Sequence, residues 1–416
     1  MLRVQGTIVN YDETSFREVL INTETGLIEA VQSPSASTPD LRCDPPVLIF
    51  PGFGDVHVHA REDAGGTQNY KEDFRTMSEA ALHGGVTHVA EMPNNPIAPV
   101  DDARYEEKQK RTEKSLVHVT LYGGIGPGTK PLSFPAPYKV FMGPSIGDLF
   151  FRSKSELEET IQFYKGCNVS FHCEDPEILE NRKNEKTHEA RRPKEAEVVA
   201  TDFALSLIRK YDLEGKICHI STLDAVDKVM AAKKQGIRVT SEITPHHLYF
   251  DATILDDERR LWLQMNPPLR TDPEERLELI RRLKRGDIEY LATDHAPHTK
   301  EEKLKGISGI PHLDTYGPFV TWLLGEHGFT PEEIARACSY NPGRFVKPFL
   351  PKTYGEGFGK IASGYVGSLT VIHPERPIRI NRKDLKTKCG WSPFEGVMFP
   401  GSVLYTIVRG KVYKYP

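Results

Sequence analysis

Nowhere in the 416 residues is there an apolar run of about 18 residues, so no membrane span is expected. The opening stretch, from Met1 to Phe16, lacks the apolar core of a signal peptide, and a cytoplasmic protein is the expectation. Cysteine is scarce. The six present are scattered and never spaced as CxxC, which excludes a disulfide framework and reads as reduced thiols. An excess of positive charge is also missing. The 54 Lys and Arg against 58 Asp and Glu leave a net charge of −4, which argues against a nucleic-acid partner. No short internal repeat is visible, so a solenoid is not indicated.

What is present suits an ordinary globular protein, with 38% hydrophobic and 27% charged residues. The length exceeds one compact core, whereas an α/β barrel of about 250 residues would leave room for a second module. The two ends read as strands. Thr7–Val9, Val19–Ile21 and Gly26–Ile28 lie at one end; Ser368–Ile372, Val403–Val408 and a hairpin through Arg409-Gly410 lie at the other. The segments Ser33–Pro46 and Lys347–Gly364, rich in Pro, Ser and Gly, read as connections.

The middle alternates. Short apolar runs occur near Asp55–Val58, Val86–Met92, Leu116–Tyr122, Tyr138–Met142, Val169–His172, Ile217–Ile220, Val239–Ile243 and Tyr290–Ala292. Helical signals lie between them. Phe74, Met77, Ala81 and Leu82 share a helical face before Gly84, and Ser153-x-x-Glu156 is a capping box. Asp272-Pro273 and Thr330-Pro331 each pair an N-cap with proline at the first helical position. Eight strands alternating with helices predict an α/β protein: a (β/α)8 TIM barrel over 51–359, with a small β-sandwich module from 1–50 plus 360–416.

Polar residues gather where the apolar runs end. His57 and His59, two apart on a strand, point the same way, and neutral imidazole suits zinc and similar ions. Two hydrogen-bonded histidines at a strand end would look the same. Lys139 sits inside an apolar strand, which is costly unless the amine is paired, modified or snorkels from an edge. His172, His219 and Asp294 end or follow further runs. Active sites of barrels form at such strand ends. Arg61 offers a fork suited to a carboxylate, although an ion pair with Glu62 or Asp63 is the plainer reading.

The segment Pro51-Gly52-Phe53-Gly54-Asp55-Val56-His57-Val58-His59-Ala60-Arg61-Glu62 resembles the opening signature of the amidohydrolase superfamily, and Arg61 resembles dihydroorotases in particular. Glu91–Asn95, Thr244–Leu248, Asn266–Arg270, Thr293–Thr299 and Trp391–Gly396 resemble further motifs of that family in the same order, over nearly the whole chain. The resemblance implies two divalent metal ions, usually zinc, held by His57, His59, Lys139, His172, His219 and Asp294. It also implies that Lys139 is N6-carboxylated and bridges the ions, although one branch of the family uses an aspartate in this region and Asp148 lies nearby. A metal-bridged hydroxide would attack a ring amide, with Asp294 as general acid and base. Arg61, Asn94 and His298 would bind the substrate carboxylate, with Asn266 lining the pocket. His246 and His247 would support the barrel rim, and Cys173 and Cys218 would turn into the wall.

The family pattern is not followed everywhere. Asp63-Ala64-Gly65-Gly66 follows Glu62 where Pro-Gly is common, Asn95 stands where Thr is usual, and His312 stands at a usual Gly. The expected reaction is the reversible cyclisation of N-carbamoyl-L-aspartate to L-dihydroorotate, in pyrimidine biosynthesis. An allantoinase, a hydantoinase or dihydropyrimidinase, and a non-catalytic dihydroorotase-like subunit remain as alternatives. A small-molecule substrate is expected, with homo-oligomerisation or association with aspartate transcarbamoylase left open. Gly143–Arg152, with Gly147, Phe150 and Phe151, reads as a lid over the site.

Overall fold

Strands from the two ends of the chain meet in one sheet. In this computed structural model, which describes residues 1–143 and 149–415, the amino-terminal strands are β1 (Leu2–Val9), β2 (Thr14–Ile21), β3 (Ile28–Gln32) and β4 (Leu41–Pro51). Alternation puts Val4, Ile8, Val19, Ile21 and Ile49 on one face, which is buried. That face forms a core of its own with Leu369, Val371 and Ile407 from the other end of the chain. Part of the expected connection Ser33–Pro46 belongs to β4. The parallel pairing of Leu41–Cys43 with Val4–Gly6 carries the strand through the prolines, with a register shift between Gly6 and Thr7.

The middle of the chain supplies parallel strands. β5 (Phe53–Val58), β6 (Val86–Glu91) and β7 (His118–Leu121) pair in order, and β8 (Gly123–Ile125) begins a second run through β9 (Tyr138–Phe141), β10 (Asn168–His172), β11 (Glu214–Ile217), β12 (Val239–Ile243) and β13 (Tyr290–Leu291). Tyr122 and Gly123 join the two runs: Tyr122 N–H donates to Glu91 O (3.0 Å) and Gly123 N–H to Pro137 O (2.8 Å). The far edges meet where Val58 bridges His295 and His59 N–H donates to His295 O at 2.8 Å. Each of the eight apolar runs in the sequence contains or overlaps a strand. β14 (Leu369–His373), β15 (Ile378–Arg379), β16 (Met398–Phe399), β17 (Ser402–Val408) and β18 (Lys411–Lys414) end the chain. The order across the terminal sheet is β18-β17-β14-β4-β1-β2-β3, and β15 pairs separately with β16.

The helix signals act at the expected positions. Asp73 caps the helix Phe74–His83, with Thr76 completing a capping box, and Gly84 ends it. Ser153 caps Lys154–Ile161, but Glu156 accepts from Arg152 N–H and not from the cap, so only half the box forms. Asp272 and Thr330 cap Pro273–Arg285 and Pro331–Ala335. Among the described residues no helix is long and apolar enough to cross a membrane. Of the segment expected to form a lid, residues 144–148, Asp148 included, lie outside the described residues.

Candidate active site

His57 lies in β5, and His59 follows it by one residue. Lys139 lies in β9, and His172 ends β10. His219 follows the end of β11, where the apolar run predicts a longer strand, and Asp294 follows β13. At both positions the backbone turns left-handed, with φ +35° and +48°, and Arg61 does the same at +61°. Side-chain clashes make such conformations cost about 1–3 kcal/mol each, and they concentrate at functional sites. Here they turn three polar side chains off the strand ends into one cleft. His57, His59, Arg61, Asn94, Phe141, His172, His219, Asn266, Asp294 and His298 line it, together with Gly306–Gly309, in a volume of about 280 Å³. Lys139, fully buried, lies against Cys218, with Nζ 2.8 Å from Sγ.

Three histidines are oriented from behind. His57 Nδ1 faces Glu242, which also holds Lys216. His59 Nδ1 meets Asn94 Oδ1 at 2.8 Å, and His172 Nε2 meets Glu174 Oε2 at 2.9 Å. An oxygen acceptor at one ring nitrogen fixes the tautomer and leaves the lone pair on the other. Those other nitrogens converge. His57 Nε2 and His59 Nε2 stand 3.1 and 3.0 Å from the same Asp294 oxygen, and His172 Nδ1 stands 2.8 Å from His219 Nε2. Ligand atoms of His57, His219 and Asp294 all lie within 4.8 Å of one another.

Burial keeps His57, His59 and His219 uncharged. It pushes His57 down to about 4, against the pull of Glu242 and Asp294, and holds His59 and His219 well below the ordinary histidine value. Burial raises Asp294, against His57 and Lys139. Glu242 is held well below the carboxylate range despite its burial, because Lys216 and His57 face it. Neutral imidazoles, carboxylates and a buried lysine amine form a donor set that fits divalent cations, provided the amine is not left as an ammonium.

The opposite side of the cleft is cationic. Arg61 is buried, so the plainer reading as a surface ion pair fails; Glu62 pairs with Lys114 instead, at 2.8 Å. Arg61 donates from Nε to Pro297 O (3.3 Å) and from Nη2 to His298 Nε2 (3.1 Å). Burial lowers Arg61 only to about 10, so it stays charged at neutral pH. Burial and then Arg61 push His298 down to about 2, so it is a neutral acceptor. Its Nδ1 lies 3.1 Å from Glu302. Asn266 Oδ1, at the cleft wall, is buried with no hydrogen-bond partner among the described residues.

His246 and His247 are buried behind the site. His247 bonds Thr244 Oγ1 (2.8 Å) and Pro267 O (3.1 Å), while His246 Nδ1 meets His312 Nε2 at 2.8 Å. The histidine at the unusual position thus fills a buried ring stack. Cys173 is buried in the wall as expected. Cys218 is buried too, but it touches Lys139 and shares a cluster of ligand-type groups with His57 and Glu242. Sequence reasoning misses Glu242. Its one signal is a carboxylate inside the apolar run Val239–Ile243.

The chain shares its α/β fold with hydantoinases of known structure. Over 99% of this chain it superposes on an L-hydantoinase (dihydropyrimidinase) from Arthrobacter aurescens, covering 95% of that chain, with a TM-score of 0.87 and 23% identity. A D-hydantoinase from a Thermus species superposes with a TM-score of 0.83 at 23% identity, over 99% of this chain and 95% of its own. No family model matches the chain. In sequence it is 31% identical to a dihydroorotase of Methanosphaera stadtmanae, over 95% of both chains. It is 33% identical to a dihydroorotase of Pyrococcus horikoshii, over 95% of this chain and 89% of that one. The chain belongs to the dihydroorotase family, and so to the cyclic amide hydrolases.

Proposed function

We propose that the protein interconverts L-dihydroorotate and N-carbamoyl-L-aspartate. The observation that carries this reading is the pairing, in one cleft, of converging neutral imidazoles with a buried arginine. The first half suits hydrolysis of an amide, and the second suits a ring that bears a carboxylate. Hydantoin and dihydrouracil carry no such group, so a fully buried Arg61 has no use for them.

His57, His59, Lys139, His172, His219 and Asp294 would hold two divalent ions, of which zinc suits the imidazole and carboxylate donors. Bound there, such ions supply Lewis acidity and a water activated at neutral pH. Lys139 would join the set by reaction of its neutral Nζ amine with CO2: an N–C bond forms, one proton leaves the nitrogen, and the product is a carbamate anion. Asp294 accepts a proton from the attacking water at its carboxylate and delivers it to the ring nitrogen as the amide C–N bond breaks. Arg61 and Asn94 orient the ring through its carboxylate, His298 holds the Arg61 guanidinium in place through its Nε2, and the Asn266 oxygen accepts from a ring N–H. Cyclisation runs the same steps backwards.

The terminal sheet, curled round its own core, is read as a β-sandwich module over 1–50 plus 360–416, with the (β/α)8 barrel over 51–359. An assay of the metal-analysed protein against dihydroorotate, hydantoin, dihydrouracil and allantoin tests the activity. Turnover of dihydroorotate with about two metal ions per chain is expected. Preference for an uncharged ring would replace this reading with a hydantoinase or allantoinase. Absence of turnover with the metals bound would point to a non-catalytic relative.

A further inference from the structure

Lys303 is fully buried in the short helix Lys300–Leu304, and its side chain meets no carboxylate among the described residues. Its Nζ instead donates to three backbone carbonyls: Gln264 O at 2.8 Å, Ile307 O at 2.9 Å and Gly309 O at 3.0 Å. An ammonium has three protons, so each one finds an acceptor. Placing a cation here without an anion is costly, and burial pulls Lys303 down to about 7. An apolar side chain would fill the same space without that cost. The arrangement therefore calls for a reason beyond packing.

The acceptors supply one. Ile307 and Gly309 belong to the segment Gly306–Gly309 that lines the cleft, and Gln264 lies two residues before Asn266, which lines it too. The same two segments are tied again by Gly309 N–H to Gln264 O (3.0 Å), and by Gln264 Nε2 to Gly306 O and to Ser308 Oγ (3.2 Å). Gly309 has φ +129°, and a Cβ there would come within 2.6 Å of Ala296 O and 2.9 Å of the His298 ring. Any shift of this wall is therefore felt at His298. Trp391 closes the arrangement from the carboxy-terminal segment. Its ring lies 5.9 Å from Lys303 Nζ, and its Nε1 donates to His298 O at 2.7 Å.

We propose that Lys303 is a positioning residue: its Nζ clamps Gln264–Asn266 to Gly306–Gly309 and so sets the wall against which the substrate binds. It does not touch substrate, and its effect passes through Asn266 and His298. The inference rests on the dihydroorotase reading for its substrate, but not for the clamp.

The test uses the full-length, metal-loaded protein. Lys303→Met keeps the stem and deletes the donors, whereas Lys303→Gln keeps two. For Lys303→Met, KM for dihydroorotate should rise about tenfold while kcat stays within about twofold, because the lost interaction serves binding and not the reacting atoms. Metal content should be unchanged. Amide hydrogen exchange at Gly306–Gly309 should quicken, with no change in β5 or β10. Lys303→Gln should fall between Lys303→Met and the wild type on both measures. Unchanged KM with unchanged exchange would overturn the proposal, as would a fall in kcat at constant KM. Failure of both variants to fold would also overturn it, since Lys303 would then serve the whole fold. If the wild type does not turn over dihydroorotate, the functional reading fails by itself, and exchange at Gly306–Gly309 still decides whether the clamp exists.

Discussion

On one side of the cleft, imidazoles stand with oxygen acceptors behind them; on the other, a guanidinium faces a neutral imidazole. Burial acts on both sides with different results. It strips His57, His59 and His219 of their protons and leaves lone pairs that converge on Asp294 and on one another. It lowers Arg61 only to about 10, so the charge survives. The same desolvation thus makes electron-pair donors of one group and leaves a fixed cation in the other, because their ordinary pKa values lie on opposite sides of neutrality. On the proposed roles, chemistry and specificity should break separately.

The largest effect is expected at Lys139. Lys139→Ala should abolish measurable turnover and lower metal content, because the proposed donor set loses one of its members. Short carboxylic acids should restore part of the activity by occupying the vacated space. Full activity with stoichiometric metal in the variant would contradict the role given to Lys139. Next comes Asp294→Asn, which keeps the shape of the side chain but removes a proton acceptor. A fall in kcat of about 10²- to 10⁴-fold is expected, the usual contribution of general acid–base catalysis. Stopped-assay kcat values near wild type would assign the proton transfers elsewhere.

Arg61→Met breaks the other half of the cleft. Removing one member of a buried charge pair costs about 2–5 kcal/mol, which corresponds to a loss of roughly 30- to 3,000-fold in kcat/KM for dihydroorotate. Metal content should not move, and elemental analysis of the variant checks that directly. Loss of metal together with activity would mean that the two halves are not separable. The smallest effect concerns pH. His298, at about 2, lies far below its ordinary value and is neutral in the working range, and Glu302 beside it, also at about 2, remains ionised. The affinity of a non-hydrolysed carboxylate analogue should therefore stay flat from about pH 5 to 8 as far as His298 is concerned. An affinity that rises as pH falls through the ordinary histidine range would show that His298 gains a proton and that the neutral assignment is wrong.

Much of the fold and of the site is legible in the order of residues alone. The HxH pair at His57 and His59 declares a shared strand face, because strand alternation is local. The spacing of the apolar runs announces the alternation of strand and helix for the same reason, and the caps at Asp73, Asp272 and Thr330 act within four residues of the helices they start. Less legible is where a strand yields to a turn. The run at Ile217–Ile220 predicts a strand through His219, whereas β11 stops at Ile217 and His219 takes a left-handed backbone that composition does not announce. β4 runs further than expected, since its pairing with β1 is a long-range contact that outweighs the local signal of Pro45 and Pro46.

By itself the sequence determined the alternation of strand and helix, the ends at which polar residues gather, and the residue types available for metal and carboxylate. Only the tertiary structure decided which of them are dry and what stands behind them. Glu242 lies 185 residues from His57 and yet orients its ring, and Arg61 lies 237 residues from the His298 it meets. Desolvation and convergence depend on elements brought together from across the chain. The proton affinities that set neutral imidazoles against a charged arginine, and the clamp of Lys303 on three carbonyls, therefore exist only once the strands have closed.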